Sequence, residues 1–71
     1  MKNIRTKFEG ETVKVVTKSG SVITGLFRVE HFDHHNGAVF TSATIEAQGS
    51  RTECKSAIVD VEDIEIIALL H

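Results

Sequence analysis

The sequence predicts an all-β protein: a five-stranded, strongly bent antiparallel small barrel whose N-terminal helix is short or absent. Three observations carry that reading. Apolar and polar residues alternate in short runs separated by glycine-containing turns, the period of a half-buried strand. No stretch of ten or more residues shows a helical stripe. Gly25 falls in the middle of the longest early run, opposite a core valine, where a sheet can bend sharply enough to curl on itself.

Residues 1–10 carry Lys2, Arg5 and Lys7, with Ile4 and Phe8 as the bulky apolar groups. Their spacing of four suits one side of a single helical turn, but no capping residue precedes them, so a tail, an extra strand or a short helix all fit. Residues 11–71 read as one domain. Val13 and Val15 alternate with Thr12, Lys14 and Thr17 in the first strand. Lys18-Ser19-Gly20 is then a tight turn whose last residue can take the left-handed conformation without a Cβ clash. That turn length pairs Val15 with Ile23 and Val13 with Gly25 on one face, and Val16 with Val22 on the other. The second strand runs from Ser21 to about His31, and the polar stretch 31–37 (HFDHHNG) reads as a loop.

Residues 38–47 alternate again, with Val39, Thr41, Ala43 and Ile45 expected inside and Phe40 outside. Gln48-Gly49 suits a two-residue hairpin turn. It sets Glu46 opposite Arg51, Ile45 opposite Thr52, Ala43 opposite Cys54 and Val39 opposite Ile58. Asp60 to Asp63 forms a short acidic turn before the fifth strand, Ile64 to Leu70. The expected core is therefore Val13, Val15, Ile23, Phe27, Val29, Val39, Ala43, Ile45, Cys54, Ile58, Ile64 and Ile66.

Seventy-one residues are enough for only a marginal isolated core, and 41% of them are apolar, with four Phe and no Trp or Tyr. One cysteine, Cys54, excludes an internal disulfide and reads as a small buried hydrophobe. The last strand is apolar on both faces, which is the pattern of a strand covered on both sides. Ile67 and Leu69 lie on the face that the interior does not use, and Val16, Val22, Leu26 and Phe40 raise the same need for cover. Assembly with further copies answers it. The first ten residues contain no apolar signal-type segment and no run is long enough to span a membrane, so a cytoplasmic protein is expected. A net charge of −2 is not the basic footprint of a dedicated nucleic-acid binder.

The succession Gly10, Val13, Val15, Lys18, Gly20, Ile23, Gly25 and Phe27, then a polar loop with Asp33 and Asn36, resembles the first Sm motif. That motif marks the Sm and Sm-like (LSm) family of small ring-forming RNA-binding proteins, whose fold is an SH3-type barrel. The resemblance is good through Gly25 and loosens beyond it. Asp33 comes about two residues late, and Asn36 is three residues beyond it where the family has four. The resemblance implies a homo-oligomeric ring in which the fifth strand of one subunit pairs with the fourth of the next. Ile67, Leu69, Val59 and Phe40 are then the expected interface side chains.

The resemblance also implies a base-binding pocket formed by two loops. The first maps onto His31, Phe32, Asp33, His34, His35 and Asn36. Rings there can stack on bases, and an Asn can read a Watson–Crick edge. The second maps onto Asp60 and Val61, where the family carries an Arg-Gly pair, and Glu62 and Asp63 come next. Carboxylates in place of a guanidinium remove a cationic stacking group and put negative charge where phosphate should pass. Lys14, Lys18, Arg28, Arg51 and Lys55 read as solvated faces or as partners for Glu30, Glu46 and Glu53. His31, Asp33, His34 and His35 have metal-compatible donors, but histidines without cysteines at ligand spacing assign no metal. No cofactor is expected.

There is no nucleophile elbow, phosphate loop, helix-borne metal motif or triad, so the protein is not read as an enzyme. Two functions stand. One is a ring that binds single-stranded RNA, or another nucleic acid, through pore-side loops. The other is a structural or protein-interaction ring that has kept the barrel and lost the pocket.

Overall fold

The computed structural model describes residues 7–70. The strands are β1 (Thr12–Thr17), β2 (Val22–Phe32), β3 (His35–Ala47), β4 (Ser50–Asp60) and β5 (Ile64–Leu69), with a 3-10 turn at Val61–Asp63. All neighbours are antiparallel and make one sheet in the order β4-β3-β2-β1-β5. The sheet is strongly bent and does not close, so β4 and β5 are its edges. The question of a tail or short helix over 1–10 falls mostly on 1–6, outside the described residues. The chain just before β1 is tied down. Phe8 is buried in the core, the Gly10 N–H donates to the Phe27 carbonyl at 2.8 Å, and Glu9 Oε2 accepts the Val29 N–H at 2.9 Å.

Both hairpin turns form as their residues dictate. Gly20 takes φ 92°, and its N–H donates to the Thr17 carbonyl at 2.9 Å. Thr17, itself buried, accepts the Ser21 N–H on Oγ1 at 3.1 Å, so its side chain braces the turn. The resulting ladder pairs Val15 with Ile23, Val13 with Gly25 and Val16 with Val22. At the second turn Gln48 and Gly49 have φ 51° and 80°. Glu46 then pairs with Arg51, Ile45 with Thr52, Ala43 with Cys54 and Val39 with Ile58. Each of these pairs is the one that turn length alone predicts.

Which face each residue serves departs from simple alternation at two places. The ladder between β2 and β3 shifts between Thr24 and Leu26, and Ser42 takes φ 55°. The extra residue turns β3 over, so Ala43 and Phe40 both point inward. Phe40 is fully buried against Phe27, with ring centroids 5.6 Å apart. This corrects its expected outward placement and removes it as a side chain offered to another subunit. In β4, Ala57 and Val59 pack against the core while Ile58, expected inside, is 61% exposed. Val39 is buried at 4% exposure but stands outside the main cluster, in register between Arg28 and Ile58.

The second break is in β5, where Thr17 pairs with Ile64 but Val16 pairs with Ile66. Glu65 is thus an extra residue, a bulge that reverses the faces beyond it. Ile64 is buried, Ile67 packs partly against the core, and Ile66, expected inside, is 56% exposed. Ile67 and Leu69 pair with the core residues Val15 and Val13, so they lie on the inner side of β5 and not the free face. Leu69 keeps 37% exposure. The rest of the expected interior holds: Val13, Val15, Ile23, Phe27, Val29, Ala43 and Ile64 are buried, and Ile45 and Cys54 pack against them half-buried.

The bend is at Gly25. A Cβ there would lie 2.9 Å from the Thr41 carbonyl oxygen and 3.2 Å from the Phe40 Cβ, so backbone meets backbone where β2 folds over. At Gly37 the obstacle is instead the Phe32 ring, with two carbons at 2.8 Å, and a ring can swing away. Gly25→Ala is expected to destabilise the protein by about 1–3 kcal/mol, the range for overpacking a filled site. Gly37→Ala should lose less. Urea denaturation at one fixed protein concentration measures both.

Candidate functional site

The site is built at the end of the sheet where β2 turns into β3. Strand pairing runs further than the polar composition of 31–37 suggests. His31 pairs with Asn36 and Phe32 with His35, which leaves a turn of only Asp33 and His34. Both turn residues have positive φ, 40° and 71°. This is the geometry that matches the twist of flanking strands in a two-residue hairpin, and it favours Asn-Gly over Asp-His. The expected loop is therefore a hairpin tip that fixes its side chains on two strand faces.

β4 brings the second segment alongside. Asp60 pairs with Gly37 at the start of β3, and the 3-10 turn begins at the next residue. The two segments enclose an open cavity of about 490 Å³, lined by His34, His35, Asn36, Asp60, Val61 and Glu62. His35 Nε2 lies 3.3 Å from Asp60 Oδ1, which links the segments directly. The His31 Nδ1 and Asn36 Oδ1 are 3.3 Å apart, so the imidazole N–H can hold the amide oxygen and leave the amide NH2 to donate elsewhere.

The structure thus brings together His34, His35 and Asn36 from the first expected segment and Asp60 and Val61 from the second. His31 adjoins through Asn36. Asp33 is exposed at the tip and does not line the cavity. Phe32 is half-buried with its ring across Gly37, near Ile58, and it too stays out of the cavity. It packs over a cross-strand glycine as part of the sheet. Glu62 lines the cavity, although the sequence pattern marks it only as part of the acidic turn. The signal for it lies in the turn itself, since a 3-10 turn at the foot of β4 throws its second residue back toward the neighbouring hairpin.

Among the described residues the cavity offers two imidazoles, one amide, one aliphatic wall and two carboxylates, with neither Lys nor Arg lining it. Arg28, on β2, is engaged with Glu30 at 3.1 Å. Among the described residues no group of three or more His, Cys, Asp or Glu side chains is placed to hold a metal ion, and no helix is long and apolar enough to cross a membrane.

No protein-family model matches this chain. No curated protein matches it either. Solved structures do. A heptameric archaeal Sm protein superposes with a TM-score of 0.69 at 21% identity, over 93% of this chain and 94% of that one. The SmAP1 heptamer of P. aerophilum superposes with a TM-score of 0.72 at 20% identity, over 100% of this chain and 93% of that one. The chain therefore has the Sm fold.

A histidine at φ 71° occupies a position that glycine takes without strain. His34→Gly should raise stability by about 0.5–1 kcal/mol through relief of that strain, read as an increased midpoint in thermal or urea unfolding. A loss of stability would show that the imidazole makes contacts worth more than the strain.

Proposed function

We propose that the protein is a non-catalytic, homo-oligomeric Sm-like ring of the cytoplasm that binds single-stranded RNA. Residues 11–71 act in it as one domain, and the cavity between the two segments receives bases at the pore side. The cavity itself carries the reading. It joins an amide and two ring side chains on a tight hairpin to a second segment far away in sequence, and it is large enough for a nucleobase. The likeness to two heptameric Sm proteins supports assembly. So do the open sheet edges, each with an exposed aliphatic: Ile58 on β4 and Ile66 on β5. Joining the β4 edge of one subunit to the β5 edge of another would satisfy the unpaired backbone groups and cover both side chains.

One observation favours the second reading, a structural or protein-interaction ring: Asp60 and Glu62 line the cavity where a cation would greet phosphate. Fluorescence anisotropy with labelled oligo(U) and oligo(A), at low and moderate salt, separates the two. The RNA reading requires binding at low salt, and no binding there leaves the structural ring.

Assembly has its own test. Ile58 and Ile66 are already partly covered, so covering the rest would contribute about 1–2 kcal/mol for each side chain, and melting should rise with protein concentration. Ile66→Asp should move the protein to the subunit mass in size exclusion with light scattering and abolish that concentration dependence. Ile67 is the wrong residue for this purpose, because it packs on its own core. An unchanged mass for Ile66→Asp would place the interface elsewhere.

A further inference from the structure

We infer that the cavity selects guanine and rejects uracil, with Glu62 as the residue that makes the distinction; the inference rests on the proposed RNA binding. Among the described residues, the charged groups lining the cavity are carboxylates, which only accept hydrogen bonds when ionised, and no Lys or Arg lines it to hold a phosphate. Phosphate is therefore repelled, and the part of a nucleotide that fits is the base.

The four bases differ in what they present to a carboxylate. Guanine carries two adjacent donors on its Watson–Crick edge, N1–H and the N2 amino group, spaced for the two oxygens of one carboxylate. Cytosine and adenine each set one amino group beside a ring-nitrogen acceptor. Uracil flanks its single N–H with two carbonyl oxygens, which face the carboxylate as like partial charges. An acidic reader therefore ranks guanine first and uracil last.

Glu62 is the free reader. Asp60 is engaged by His35 at 3.3 Å, whereas Glu62 is exposed and makes no hydrogen bond or ion pair among the described residues. The Asn36 amide, which also lines the cavity, has its oxygen turned to His31, which leaves its NH2 to donate to guanine O6 beside the carboxylate. Uracil O4 could accept that same bond, so Asn36 does not separate the two bases and Glu62 must. His34 and His35 supply flat imidazole faces beside the base.

The test uses fluorescein-labelled hexanucleotides of adenosine in which one central position is G, C, U or A, titrated by anisotropy against the intact protein. The G-containing strand should bind about tenfold more tightly than the U-containing strand, within the range of one bidentate base contact. Glu62→Gln should reduce that ratio to below about twofold while the protein keeps its wild-type mass on a sizing column, because an amide offers one donor and one acceptor. Equal affinities, a preference for U, or a ratio unchanged in Glu62→Gln would overturn the inference and leave RNA binding standing. Failure of all four strands to bind at low salt would overturn both.

Discussion

The molecule depends on one close approach: the backbone of β2 at Gly25 against the backbone of β3 at Thr41, with room for no Cβ between them. A five-stranded sheet of this length left flat would have nothing to bury either face against. Folding β2 over at its middle turns the inner faces of the β1–β5 side and the β3–β4 side toward each other. Val13, Val15 and Ile23 then share one interior with Phe27, Phe40 and Ala38. Ser42 in the left-handed region is the matching accommodation on β3, since a strand on the outside of a bend needs an extra residue to keep its partners. The tilted Phe27–Phe40 pair sits just past the bend and fills the space that it creates.

Legibility in the sequence divides along the same lines. Turn chemistry is local: Gly20 and the Gln48-Gly49 pair fix loop length, and loop length fixes register, so every cross-strand pair argued from those turns is present. Facing is not local. A bulge inserts one residue without any special residue type to announce it, and Ser42 and Glu65 look like ordinary members of an alternating run. From there outward the parity reverses, which brings Phe40 into the central cluster while Val39 is buried outside it, and exchanges Val59 for Ile58 and Ile67 for Ile66. The error is the hazard of a period of two, in which a slip of one moves every side chain to the other face. The site is legible as two segments, and its shape is not. Asp33-His34 lacks the glycine that announces a two-residue turn, so a tight hairpin tip reads as a longer loop.

The β3–β4 ladder explains where the cavity lies. It sets the foot of β4 beside the β2–β3 tip, where Asp60 stands opposite Gly37. The His35–Asp60 contact is exposed and contributes little to stability. It joins a side chain of one segment to a side chain of the other, while the β3–β4 ladder holds the segments together. His34 is left-handed. A residue kept in a conformation that glycine would adopt freely is local strain, held here at the edge of the cavity.

Under the proposed ring, the electrostatics of that cavity bear on how any strand would be held. Each subunit carries a formal net charge of −2, and copies arranged around a pore add their charges. Long-range attraction of a polyanion is then weak or adverse, so affinity has to arise from contacts made inside the cavities, one base at a time. A single such contact is slight. Repetition changes the outcome, because once one base is seated the next cavity meets its own base at the high effective concentration set by the short backbone between them. A ring of weak, charge-averse sites can in this way bind a strand whose bases fit and ignore nucleic acid that offers only phosphate. That is a division of labour opposite to the one made by basic proteins, which hold the backbone first and read the bases second.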